Sequence, residues 1–246
     1  MTSELVVTLT SYPARFATLA ATIKSLLDQE ISPDRTVLWL DYRDLASLPE
    51  DVRALERDGL EIRGCHSLRS YKKLMPALSQ WPNATFVTAD DDVYYPTNWL
   101  VGLVECHRAD PIRIVAWRAH VARAGPDGRP IPYVDWEFAT SRTSVNEPNA
   151  ALFPTGVGGV LYPAGSLHLD VFDQQQFTTL CPEADDVWFY WMARRAGTRH
   201  VRVDGWIELI EWPNTQQVGL RVANLGGEGN DRQIRAMEKA YGPFPF

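Results

Sequence analysis

Apolar positions follow two different periods along the first hundred residues. Short runs rich in β-branched and aromatic residues stand at Leu5–Thr10, Arg35–Leu40, Leu60–Arg63 and Thr85–Ala89. Such runs predict buried strands. Between the first two, Phe16, Leu19, Ile23, Leu26 and Leu27 fall at helical spacing and predict a helix to about Gln29. A second helix is expected from about Pro49 to Arg57, with Pro49 near its first turn and Gly59 closing it. Strands alternating with helices in this way imply right-handed crossovers and a mainly parallel sheet, hence an α/β fold.

The pattern then becomes less regular. The stretch Leu68–Leu78 reads as a helix starting near Ser70, which puts Lys72 and Lys73 in its first turn. Cations there oppose the helix dipole, and a bound anion would repair the conflict. Asn98 to Arg108 reads as a helix and Ile112 to Trp117 as a fifth strand. Gly125-Pro126-Asp127-Gly128 is a turn expected to join a hairpin. Gly156, Gly158 and Gly159 precede a short apolar strand, and glycines there let the backbone approach a ligand. No Gly-Lys-Ser/Thr follows, so this is not a Walker loop. Asp185 and Asp186 open a helix that is otherwise almost wholly apolar or aromatic. Strands are expected at Arg199–Val203 and Trp206–Glu211, a loop over 212–229, and a last helix from about Asn230 to Tyr241.

Composition narrows the classes. The 246 residues carry a net charge of −7, which argues against a nucleic-acid partner. Three widely spaced cysteines form neither a zinc pattern nor a disulfide framework, and point to a reducing, cytoplasmic setting. No apolar run approaches the roughly 20 residues of a membrane span, and Met1-Thr2-Ser3-Glu4 is no signal peptide. A peripheral place at the inner face of a membrane stays open.

The organising stretch is Phe86 to Pro96. A strand there runs straight into Asp90, Asp91 and Asp92, followed by Tyr94, Tyr95 and Pro96. Three charges cannot be buried unpaired, so they are expected where the strand leaves the sheet. In open α/β sheets that crevice binds ligands. The carboxylates repel one another unless a cation offsets them, and Mg²⁺ or Mn²⁺ does so with oxygen ligands. A solvated acidic turn is the plainer alternative.

Four stretches stand in one order: a strand followed by Ser11-Tyr12-Pro13-Ala14-Arg15, the basic Lys72-Lys73 pair, the Asp90–Asp92 triplet with Tyr95-Pro96, and the glycines followed by Ala184-Asp185-Asp186-x-Trp188. Together they resemble a GT-A glycosyltransferase, close to the inverting family-two type of bacterial surface-polysaccharide assembly. The likeness covers about Val6 to Gly197. It implies a Rossmann-like sheet in a single domain, with residues 1–118 as the nucleotide-binding half and 119–246 as the acceptor-binding half. It implies a nucleotide-sugar donor, a UDP-sugar for preference, and a saccharide or lipid-linked saccharide acceptor. Thr10, Ser11, Tyr12, Arg15 and Asp41 would form the base and ribose pocket, and Lys72 and Lys73 would lie near the diphosphate. Asp90 and Asp91 would touch the donor. Asp92, with Asp90, would hold Mn²⁺ or Mg²⁺. Gly158 and Gly159 would floor the donor-sugar or the acceptor pocket. Asp186 would be the general base, and Asp185 a helix cap or a partner to it. No C-terminal histidine matches the extra metal ligand many such enzymes carry. The last histidine, His200, falls inside an expected strand; His168, which precedes the Asp185-Asp186 helix, or Asn230 with Asp231 are the candidates, and Asp92 with the diphosphate and water alone is the alternative.

Three rivals remain at this stage. A haloacid-dehalogenase-like phosphohydrolase also uses Asp-x-Asp, but usually after its first strand. A nucleotidyltransferase needs an N-terminal glycine-rich loop that is absent. A carbohydrate-binding protein could be built on the nine tryptophans.

Overall fold

The apolar runs become strands buried on both faces, which is why they read as nearly continuous rather than alternating. The computed structural model describes residues 3–213 and 229–246. In chain order the strands are β1 (Leu5–Thr10), β2 (Arg35–Asp41), β3 (Leu60–Cys65), β4 (Thr85–Ala89), β5 (Val93–Tyr94), β6 (Ile114–Ala116), β7 (Ala119–Arg123), β8 (Ala150–Pro154), β9 (Val160–Tyr162), β10 (His200–Arg202) and β11 (Ile210–Glu211). The helices are α1 (Phe16–Leu27), α2 (Glu50–Arg53), α3 (Met75–Gln80), α4 (Trp99–Ala109), α5 (Gln174–Leu180), α6 (Asp185–Arg195) and α7 (Gly229–Tyr241).

The central sheet has the order β10-β6-β9-β4-β1-β2-β3. β1 pairs parallel with β2 and β4, β2 with β3, and β10 with β6. β9 runs antiparallel to both of its neighbours, β4 and β6. The sheet is therefore mainly parallel with one reversed strand, as the alternation implies. Two small ribbons, β5 with β11 and β7 with β8, lie outside it.

Successive residues of each strand serve opposite cores. Val6, Val37, Phe86 and Tyr162 face α3, α5, α6 and α7, while Val7, Leu38, Val87 and Leu161 face α1, α2 and α4. α6 buries every side chain from Val187 to Ala193. Full burial of one large apolar side chain is worth roughly 1.5–3 kcal/mol. That sum offsets the cost of holding carboxylates at the helix mouth. Among the described residues no helix is long and apolar enough to cross a membrane.

Several expectations are corrected. Residues Arg69–Lys73 form a short 3₁₀ turn, and the α-helix begins only at Met75. Pro76 is the reason: it has no N–H and its ring clashes with the carbonyl four residues back, so it sits in the first turn rather than mid-helix. Lys72 and Lys73 thus close a 3₁₀ turn and do not oppose a helix dipole. The fifth strand shortens to Ile114–Ala116, and the expected strand Trp206–Glu211 is reduced to Ile210–Glu211 on β5. The Gly125–Gly128 turn joins a single bridge, Ala124 to Pro130, while β7 takes distant β8 as its partner. Most of the 212–229 loop lies outside the described residues.

Candidate active site

Parallel strands deliver their last residues to one edge. β1 ends at Thr10, β2 at Asp41 and β4 at Ala89, directly before Asp90. The reversed β9 begins at the same edge, since Val160 lies opposite Thr88. Its leading loop therefore carries Gly156 to Gly159 into the crevice. α6 adds Asp185 and Asp186 from its first turn.

Lys73 joins these parts. Its Nζ lies 3.5 Å from Asp90 Oδ1 and 3.6 Å from Asp185 Oδ2. Its backbone is fixed where Thr8 Oγ1 donates to the Lys73 carbonyl at 2.6 Å. Burial alone would lower the Lys73 pKa, but Asp185, Asp90 and Asp186 hold the proton on and raise it. Asp186 accepts the Gly156 N–H through both oxygens, at 3.1 and 3.2 Å. Enclosure and the neighbouring Asp185 charge push the Asp186 carboxyl up to about 7, against the pull of Lys73 and the Gly156 N–H. A cavity of about 10 Å³ lies against Asp186, walled by Tyr162, Phe189, Tyr190 and His200.

Each member of the acidic triplet has its own partner. Asp90 faces Lys73, and its N–H donates to the Tyr95 hydroxyl at 2.7 Å. Burial raises the Asp90 pKa, partly countered by Lys73. Ser11 Oγ donates to Asp91 Oδ2 at 2.5 Å, and burial pushes that carboxyl up to about 6. The Arg15 guanidinium donates to Asp92. The mutual repulsion expected to call for a metal is thus met by the chain itself.

The remaining candidates divide. Lys72 is buried, with Nζ 3.5 Å from the Ser11 carbonyl. Tyr12 is exposed beside Arg15, whose Nε donates to its hydroxyl at 3.3 Å. Asp41 is buried at the end of β2; desolvation works upward, yet a Ser67 hydrogen bond and the Arg43 and Lys72 charges keep its pKa below the usual carboxylate range. Thr10 turns its hydroxyl into the sheet, donating to the Trp39 carbonyl at 2.8 Å. Asp185 does not cap α6: the cap position is Ala184, which makes no side-chain cap hydrogen bond. Asp185 pairs with Lys73 instead. Gly158 and Gly159 answer to Trp99. Its indole N–H donates to the Gly158 carbonyl at 2.6 Å, and a methyl on Gly159 would lie 2.7 Å from the ring.

Solved structures share this fold. Mannosyltransferase PcManGT from Pyrobaculum calidifontis, in complex with GDP-Man and Mn²⁺, matches with a TM-score of 0.56 at 14% identity, over 98% of this chain and 64% of that one. S. aureus TarS 1–349 in complex with UDP matches with a TM-score of 0.54 at 14% identity, over 84% and 59%. CMP:2-keto-3-deoxy-manno-octonic acid synthetase complexed with CTP matches at 0.50 and 13% identity, over 96% and 100%. The chain has a GT-A-like fold. No family model matches the sequence, and no curated protein matches it. The match spans only 59% of the TarS fragment, and the likeness at these identities is one of fold.

A GT-A-like fold raises the question of a metal. Carboxylate oxygens of Asp90 and Asp92 have the chemistry a hard cation takes. Both are engaged, however, by Lys73 and Arg15 respectively. Among the described residues no group of three or more His, Cys, Asp or Glu converges to hold a metal ion. His168 Nδ1 accepts the Asp170 N–H at 3.2 Å and caps a 3₁₀ turn. His200 is buried against Tyr190, and desolvation pushes its imidazole down to about 3. Asp231 accepts the Tyr133 N–H at 2.9 Å. The described residues do not form a preformed divalent site.

Gly156 was read in the sequence only as one of three glycines before a strand, and its place between Lys73 and Asp186 was not read there. A methyl there would sit 2.7 Å from Lys73 Nζ and 3.4 Å from Asp186 Oδ1. The only signal was its place in the same glycine run as Gly158 and Gly159.

Proposed function

We propose that the chain is a glycosyltransferase, moving a sugar from a nucleotide-sugar donor, a UDP-sugar for preference, to a hydroxyl of a free or lipid-linked saccharide. The observation that carries this reading is the meeting of Asp90 and Asp185 over Lys73, with Asp186 beside them, at the carboxyl edge of a GT-A-like sheet. Two carboxylate groups on separate elements, held around one buried cation, suit a donor on one side and a base on the other. The diphosphate lies toward Arg15 and Lys72, and Asp186 faces the acceptor. Its raised pKa of about 7 places it near the operating range of a general base.

The step is a displacement with inversion. The acceptor oxygen bonds to the anomeric carbon, and the bond to the diphosphate oxygen breaks. The acceptor proton passes to Asp186, and the leaving diphosphate keeps the electron pair. Cations positioned before the reaction stabilise that growing charge without reorganisation. The setting we propose is glycan or polysaccharide assembly on the cytoplasmic side.

The test is incubation with a panel of UDP- and GDP-sugars and saccharide acceptors, run with Mn²⁺, with Mg²⁺ and with EDTA. We expect release of nucleoside diphosphate and a product of inverted anomeric configuration by NMR. Pyrophosphate release would indicate nucleotidyl transfer, which the loop Ser11–Arg15 disfavours because it has no glycine. Glycan binding with no nucleotide affinity would leave a binding protein. Retention of configuration would remove Asp186 from the role of base.

A further inference from the structure

Arg15 and Asp92 form a desolvated ion pair, their side chains 10% and 11% exposed. Arg15 reaches it from the turn after β1, through one terminal nitrogen, while Nε donates to Tyr12. Among the described residues its second terminal nitrogen has no hydrogen-bond partner. A guanidinium is a rigid planar fork with five N–H donors, so it can keep one carboxylate and still offer donors to a second oxyanion. Lys72 stands at the same loop, with its ammonium 3.5 Å from the Ser11 carbonyl.

A metal ion on Asp92 would have to expel this guanidinium from its only carboxylate partner among the described residues. A buried cation stripped of its partner is costly. A diphosphate arriving at the loop has the opposite effect: it adds an acceptor to a cation already oriented. Charge-assisted bonds from arginine to phosphate are short, directional and frequently paired.

We propose that Arg15, steadied by Asp92 and seconded by Lys72, binds the diphosphate of the nucleotide in place of a divalent cation, so that nucleoside diphosphates bind this chain without metal. The proposal rests on the nucleotide-sugar reading above and deepens it. Arg15 touches the ligand; Asp92 is a positioning residue that acts through Arg15.

Isothermal titration of the full chain with UDP, GDP, CDP and ADP tests it, each in EDTA and in MnCl₂. The expected result is binding in EDTA that Mn²⁺ leaves within about threefold, a shift that corresponds to well under one decade. Arg15→Gln should weaken it by about tenfold to a hundredfold, the effect of one lost charged hydrogen bond. Arg15→Lys, which keeps the charge and loses the fork, should fall between. Asp92→Asn should weaken binding in EDTA, by less than Arg15→Gln, because Arg15 loses the carboxylate that orients it and keeps its own contact with the diphosphate. Circular dichroism on each variant establishes that it is folded. Binding that needs Mn²⁺ and disappears in Asp92→Asn overturns the proposal and leaves glycosyl transfer standing. Binding by none of the four nucleotides in either buffer overturns both.

Discussion

Asp186 shows how much one side chain takes from its setting. Its neighbour Asp185 turns to Lys73, while Asp186 turns to the Gly156 N–H, so two adjacent carboxylates enter different environments. We expect Asp186→Asn to keep donor binding and to slow transfer by about 10²–10⁴, the usual worth of a general base. Transfer assayed by mass spectrometry checks this, and near-normal turnover would remove the role. In the wild type the rate should rise through about pH 7, where Asp186 loses its proton. Stability should move the other way. The folded carboxyl titrates near 7 against an ordinary 3.8, so between those values the folded state binds more protons than the unfolded one. Stability therefore falls as pH rises from about 4 toward 7. In Asp186→Asn that decline should be shallower, and melting temperatures at pH 5 and pH 8 would reveal it. Asp186 was legible as a candidate base because two carboxylates at the mouth of an apolar helix are conspicuous. Its anchor was not, because a backbone N–H leaves no mark in a sequence.

At the level of the element, the strands were legible and the turns between them were not. Val6-Val7, Val37-Leu38 and Phe86-Val87 are apolar on consecutive positions within short β-branched and aromatic runs, as a strand buried on both faces requires. The stretch 69–80 misled, since its apolar spacing suits a helix while Pro76 permits one only from Met75 onward. The partners of the triplet were equally hidden. Arg15, Ser11 and Lys73 lie 77, 80 and 17 residues away from their carboxylates, beyond any local pattern. The loop before β9 makes a sharper prediction. Gly159 has φ of +94°, and an added methyl would lie 2.7 Å from Trp99 and 2.9 Å from the Thr88 carbonyl. Gly159→Ala should cost about 3 kcal/mol or more, from backbone strain and overpacking together. Gly128, at φ +78° with nothing within 4 Å, is the control. Gly128→Ala should cost only about 1 kcal/mol, the strain alone. Urea denaturation of both variants decides; equal costs would deny the packing role of Gly159.

Among the described residues the central sheet carries two cores, and a smaller cluster of Ala119, Val121, Ala150 and Leu152 lies on the β7–β8 ribbon. Because the same strands feed both, neither core can open while the other keeps its strands in register. We expect circular dichroism and tryptophan fluorescence to report one coincident unfolding transition. Two separated midpoints would show that residues 1–118 and 119–246 melt as independent units. The reversal of β9 has a consequence for how such a chain could be altered. A parallel strand would admit its leading loop from the far edge and deliver only its trailing loop to the ligand. β9 does the reverse, so residues 155–159 form the doorstep of the crevice while the segment after Tyr162 leaves by the back. Insertions between Pro154 and Val160 would reshape what the crevice accepts, and insertions directly after Tyr162 would enlarge the molecule without being seen by the ligand at all. One strand laid backwards thus sets the loop before it, 155–159, against the crevice and the turn directly after Tyr162 on the far edge of the sheet, before the chain returns to the crevice at Asp185 and Asp186.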